Sequence, residues 1–225
     1  MLTVKVLFLA ANPLDSDALQ LDLEIREILE KVRASAGRDQ LEVISRWAVR
    51  PDDLLQHLNE QQPHIVHFSG HGSRSKGIVL EDEHRRATPV RKDALIRLFR
   101  TLSDNIRIVV LNTCFSEEQA KAITEVIDCA IGTPREIDDA AAVAFAASFY
   151  RAIGFGRSVK EAFEQGLVSL DLSNVPEAHM PRLLVGAGVD ASNIILVGDR
   201  TSMSRPLNIT RDDLSTDRFY EREDK

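Results

Sequence analysis

Cysteine is scarce in this chain: Cys114 and Cys129 are the only two in 225 residues. A disulfide framework needs more, so the scarcity points to a reducing compartment, with one thiol buried and one available for reaction. Long apolar runs are also missing, and none approaches the ~20 residues needed to cross a membrane. The apolar stretch at residues 1–11 is short and broken by Lys5, and it lacks the order of charge, apolar core and cleavage site that marks a signal peptide. The expectation is a cytoplasmic protein without a membrane partner.

A basic excess is lacking too. The formal net charge is -7, and basic residues are interleaved with acids, as where Arg85-Arg86 follows Glu81-Asp82-Glu83. Phosphate-binding surfaces carry clustered Lys and Arg, so nucleic acid is not the expected partner. No Gly-x-Gly-x-x-Gly follows the first strand, and Gly154, Gly156 and Gly166 do not make a phosphate loop. His64, His67, His84 and His179 have no Cys or His set at zinc spacing and read as structural or surface residues. No cofactor and no metal are expected. There is no internal repeat and no low-complexity block.

What is present is an ordinary globular balance, 44% hydrophobic and 28% charged, enough for one domain with a well-buried core. Residues 4–10 form a continuous apolar run with β-branched members, the pattern of a strand buried on both faces. Helical spacing follows from Asp15 to about Ala34, with Gly37 as its stop. Strands are then expected at 41–49, 64–68, 106–112, 129–132 and 183–185, with a hairpin from 77–80 and 87–90. Helices are expected at 51–59, 95–102, 116–127, 138–153 and 158–170. Strands alternating with helices over short loops predict an open, mostly parallel α/β sheet flanked by helices on both faces. Residues 1–197 read as the domain, and 198–225 as a polar tail, flexible or docking.

In such sheets function gathers at the carboxyl ends of strands. Ser69-Gly70-His71-Gly72 and Asn112-Thr113-Cys114 end two of them, which puts an imidazole and a thiol at one edge. Neighbouring strands lie about 5 Å apart, so the pair can meet. A thiol has an ordinary pKa near ~8.5 and attacks as the thiolate. A nearby histidine can take that proton and later give it to a leaving amine. The amino end of the helix from Ser116 is expected to favour a negative sulfur. The N–H groups of Gly72 and Cys114 could form an oxyanion hole, worth about 3 kcal/mol per donor. Cys129, in an apolar strand, reads as inert core.

His67-Phe68-Ser69-Gly70-His71-Gly72 with Val110-Leu111-Asn112-Thr113-Cys114-Phe115-Ser116 resembles the signature of CHAT domains, which share a protease clan with caspases, separases and gingipains. Residues 7–13 resemble that family's opening strand and loop. Ile131-Gly132, Asp138, Ala141, Phe145, Phe149-Tyr150, Gly156, Ser158 and Ala162-Phe163 resemble its closing half, and His179-Met180-Pro181 with Leu183-Leu184 its last strand. The resemblance implies a caspase-like fold and a cysteine endopeptidase with His71 as base and Cys114 as nucleophile. It also implies limited cleavage of a protein substrate, in bacterial signalling or defence, under a separate sensor or an upstream protease.

In that clan the loops after the first strand and after the strand following the nucleophile bound the specificity pocket. Carried over, they are residues 12–15 and 133–139, with Asn12, Asp15, Glu136 and Asp138 as candidates and Asp139 beside them. Carboxylates there would select Arg or Lys through charge-assisted hydrogen bonds. Asp15, Asp138 and Asp139 could equally cap the helices that follow. A catalytically silent interaction module of the same fold is the alternative to the enzyme.

Overall fold

The computed structural model describes residues 3–73, 77–175 and 179–198. Apart from Gly198, the expected tail lies outside the described residues. The chain opens with β1 (Val4–Ala11), α1 (Leu21–Arg33), β2 (Leu41–Arg46), α2 (Pro51–Gln61) and β3 (Ile65–Gly70). Three short strands follow, β4 (Gly72–Ser73), β5 (Gly77–Glu81) and β6 (Ala87–Pro89). The second half is α3 (Lys92–Thr101), β7 (Ile108–Asn112), α4 (Glu117–Ile123), β8 (Cys129–Gly132), α5 (Asp139–Gly154), α6 (Val159–Leu172) and β9 (Arg182–Val185).

The main sheet has six strands in the order β2-β1-β3-β7-β8-β9. All pairs are parallel except β8 with β9, which is antiparallel. Alternation along the strands divides the core into two layers. Val6 and Phe8 of β1, Ile65 of β3 and Val110 of β7 face α1, α5 and α6. Leu7, Leu9, Val66, Phe68 and Leu111 face α2, α3 and α4. Apolar residues on both faces of the central strands are what a sheet sandwiched between helices requires. The small strands form a separate sheet, β4-β5-β6, directly after His71.

Strand order reverses between β1 and β3, because the chain runs from β1 out to β2 and then returns to the far side of β1. Such a switch point opens a crevice at the carboxyl ends of the strands.

Several expected boundaries shift. Helix α1 begins at Leu21, not Asp15, because the Asn12 side chain bridges both backbone groups of Leu19, at 3.4 Å each, and holds residues 12–20 as a loop. That loop is also tethered outward, with Leu14 N–H donating to Arg85 O at 2.8 Å. The helix ends at Arg33 with Ala34 as its C-cap, ahead of Gly37. Gly37 is needed for close packing: a Cβ there would meet Val197 at 2.2 Å and the Gly154 carbonyl at 2.8 Å. Strand β2 stops at Arg46, and Ala48 turns the chain with φ 52°. Helix α4 closes at Ile123, short of Ile127.

Candidate active site

One narrow cleft gathers the carboxyl ends of the central strands. It is lined by Ser69, Gly70 and His71 after β3, Asn112, Thr113 and Cys114 after β7, and Ile137 and Asp139 after β8. Leu19, Gln20, Leu21 and Glu24, where the first loop passes into α1, line it as well. His71 and Cys114 are both half-buried, so they are presented to the cleft rather than enclosed in the core.

Two sequence features bring the strand ends together. Phe115 adopts a left-handed backbone conformation (φ 53°) immediately after the nucleophile candidate, turning the chain from β7 toward α4. For a residue other than glycine this costs on the order of 1 kcal/mol, a strain found at functional turns. Ser116 fixes the turn from below, its hydroxyl bonding Thr113 O at 2.8 Å and accepting Thr133 N–H at 3.0 Å. The loop after β8 is thereby tied to the loop after β7.

Gly72 is the second feature. A Cβ on it would lie 2.0 Å from the Cys114 carbonyl oxygen, so only glycine lets the His71 and Cys114 loops touch. Gly72→Ala is expected to push them apart and to lower turnover about a hundredfold, the scale of a one-ångström misplacement. Kinetics on a reporter peptide, with a melting curve to establish folding, check this. Unchanged turnover in the variant would contradict the close contact.

His71 is held by a group with no side chain in it. Its Nε2 lies 2.8 Å from the backbone carbonyl of Asp17. A carbonyl only accepts, so Nε2 carries the hydrogen and Nδ1 is left as the basic nitrogen. No property of the Asp17 side chain could have marked this contact in the sequence.

Burial pushes the Cys114 thiol above its ordinary pKa. The Ile137 N–H pulls it down, and the charges of Glu136 and Asp139 push it up again. The expected help from the helix after Cys114 is not what prevails. Helix α4 has only seven residues and opens with Glu117 and Glu118, while the acids of the loop after β8 oppose a negative sulfur. Burial and these acids both favour the protonated sulfur. Cys129 is fully buried, with its pKa pushed up to about 12 by burial.

The four specificity candidates are not among the residues that line the cleft. Asn12 is spent on Leu19, and its N–H donates to the buried Glu81 at 2.9 Å. Asp15 accepts from Ala87 N at 2.8 Å and ties the first loop to β6. Asp138 caps α5 by accepting from Ala140 N. Glu136 is exposed and acts on Cys114 through its charge. Asp139, named beside them, does line the cleft, and its carboxylate makes a long contact, 3.4 Å from Gln20 N.

Sequence reasoning missed Glu24. It is 3% exposed yet lines the cleft, and its carboxylate accepts from His67 Nε2 at 2.9 Å, Asn112 Nδ2 at 2.5 Å and the Ser69 hydroxyl. The signal was there: with Leu21, Ile25, Ile28 and Val32, Glu24 falls on the apolar stripe of α1, where an unpaired acid would be costly. His67 is a buried residue of this network, and its Nδ1 lies 3.1 Å from the Tyr150 hydroxyl. His64 accepts from Lys5 N at 3.1 Å.

This architecture, with an imidazole and a thiol at the ends of adjacent parallel strands, is a caspase-like fold. Two solved structures share the fold. A secreted C11 cysteine protease from Bacteroides thetaiotaomicron, in complex with an irreversible peptide inhibitor, aligns at TM-score 0.60 and 11% identity over 85% of this chain and 63% of its own. The Arg-specific cysteine proteinase gingipain R aligns at TM-score 0.57 and 9% identity, over 85% and 47%. The CHAT domain family matches residues 3–182, and the chain belongs to that family. A Roc-COR-CHAT protease from an unknown prokaryotic organism is 32% identical over 66% of this chain and 15% of its own length. A probable protease of Gillisia limnaea is 24% identical over 75% of this chain and 31% of its own. The chain thus spans less than a third of these curated relatives.

Proposed function

We propose that this domain is a cysteine endopeptidase in which Cys114 attacks the scissile carbonyl and His71 moves the proton. The observation that carries the reading is the His71–Asp17 contact, which supports Nδ1 as the base in a cleft that also presents Cys114. His71 Nδ1 takes the thiol proton, and sulfur forms a bond to the carbonyl carbon. The oxygen gains the displaced electron pair and is received by the N–H groups of Gly72 and Cys114. When the C–N bond breaks, the imidazolium gives its proton to the departing amine. Water then attacks the thioester, with His71 as base, and releases the acid and the free thiol.

Since burial and the nearby acids favour the protonated sulfur, His71 is needed at the moment of attack. Cys114 sits at the cleft rather than deep in the core, which supports the enzyme over a silent interaction module.

The substrate side chain entering the cleft is basic in this reading. Asp139 lines it, and both Asp139 and Glu136 impose negative charge around Cys114. Arg or Lys would replace the long Gln20 contact with a charge-assisted pair. One structural neighbour, gingipain R, is named Arg-specific. The curated relatives are much longer than this chain, and control by a further protein or by an earlier cleavage is part of the proposal. So is a role in bacterial signalling or defence, through limited cleavage of a protein partner. Otherwise identical reporter peptides ending in Arg, Lys or Asp test the specificity. Arg and Lys reporters are expected to be hydrolysed at least about tenfold faster, the worth of one charged hydrogen bond. Preference for Asp would sink the basic pocket.

A further inference from the structure

Ser69 and Asn112 are direct partners across the β3–β7 pair. Each stands two residues before a member of the dyad, His71 and Cys114. Both donate to the same carboxylate, Asn112 to one oxygen of Glu24 and Ser69 to the other. Glu24 therefore bridges the two strand ends from the α1 side, two residues before His71 and before Cys114.

The bridge is itself held. His67 also donates to Glu24, and since a carboxylate only accepts, His67 Nε2 carries the hydrogen. His67 Nδ1 then accepts from Tyr150 of α5. Burial, and then the charge of Glu24, push the Tyr150 pKa well up, so the phenol keeps the proton it donates. Tyr150, His67 and Glu24 form a continuous chain whose members are all buried. Satisfied networks of this kind select a single geometry.

We propose that Glu24 is a positioning residue for the dyad, setting the separation of His71 and Cys114 by clamping Ser69 and Asn112. The inference rests on the dyad reading above. Glu24 does not serve as the anion for a basic substrate, because its oxygens are already occupied by three donors. Asp139 is the acid left for that role.

A double-mutant cycle on the full chain separates positioning from mere stability. The readout is the alkylation rate of Cys114 by iodoacetamide, a small uncharged reagent, together with kcat and KM on an Arg reporter. Glu24→Ala is expected to slow His71-assisted alkylation and kcat by about 10- to 100-fold, the scale of a misplaced reacting pair, with KM little changed. In a His71→Ala background it should cost nothing further. Glu24→Gln keeps the length and an acceptor, and is expected to restore most of the rate. If Glu24→Ala does not fold, Ser69→Ala and Asn112→Ala replace it, each with the same expected split.

Equal losses with and without His71 would overturn the positioning role. So would a rise in KM for basic reporters alone in Glu24→Gln, which would make Glu24 the substrate anion. If alkylation of the unaltered chain does not depend on His71, the dyad reading itself fails, an outcome distinct from the other two.

Discussion

Replacing Cys114 with alanine is expected to lower peptide hydrolysis by about ten-thousand-fold or more, the usual consequence of removing a covalent nucleophile. The substitution trims a half-buried side chain at the rim of the cleft, so melting should change little. His71→Ala is expected to lose about a hundred- to ten-thousand-fold, the contribution of a general base. Because burial and the nearby acids raise the Cys114 pKa, the sulfur depends on His71 to take its proton, and the two losses should not add. Reporter kinetics on the single and double variants check this. A double variant far slower than Cys114→Ala would contradict a shared step.

The second large effect belongs to Asp139, where two readouts should move in opposite directions. Its charge raises the Cys114 pKa. Asp139→Asn removes that contribution, lowers the thiol pKa and increases the thiolate present at neutral pH. Alkylation of Cys114 by iodoacetamide should therefore speed up, with its pH profile displaced to lower pH. Cleavage after Arg should meanwhile fall about 10- to 100-fold, the loss of one charge-assisted hydrogen bond. Asp138 remains as the cap of α5, so the helix start is retained. A fall in both rates would point to a disturbed site rather than a lost selectivity charge.

The sheet was legible because its evidence is local. Continuous apolar runs at β1 and β7, and the glycines that end β3, identify strands buried on both faces, and short connections leave few ways to order them. The placement of His71 and Cys114 at one edge of the sheet was legible for the same reason, since each follows a recognisable strand. What was not legible depended on contacts distant in sequence. The start of α1 was missed because a side-chain bridge from Asn12 to Leu19 overrides the helical spacing of residues 15–20. The contacts of the pocket candidates were not legible because a carboxylate on a loop beside a cleft can equally face away: Asp15 reaches Ala87, while Asp138 turns to the helix end. Glu24 lies 88 residues from Asn112, and only its position on an apolar stripe hinted at a buried partner.

The account stands most directly on one measurement: labelling the protein with an Arg-directed, thiol-reactive peptide probe and mapping the modified residue. Cys114→Ala and His71→Ala proteins serve as controls. The prediction is a single adduct on Cys114, absent from both controls, with Cys129 unmodified because it is fully buried and its pKa is pushed up to about 12. An adduct on Cys114 that forms equally well without His71, or one on Cys129 instead, would contradict the dyad.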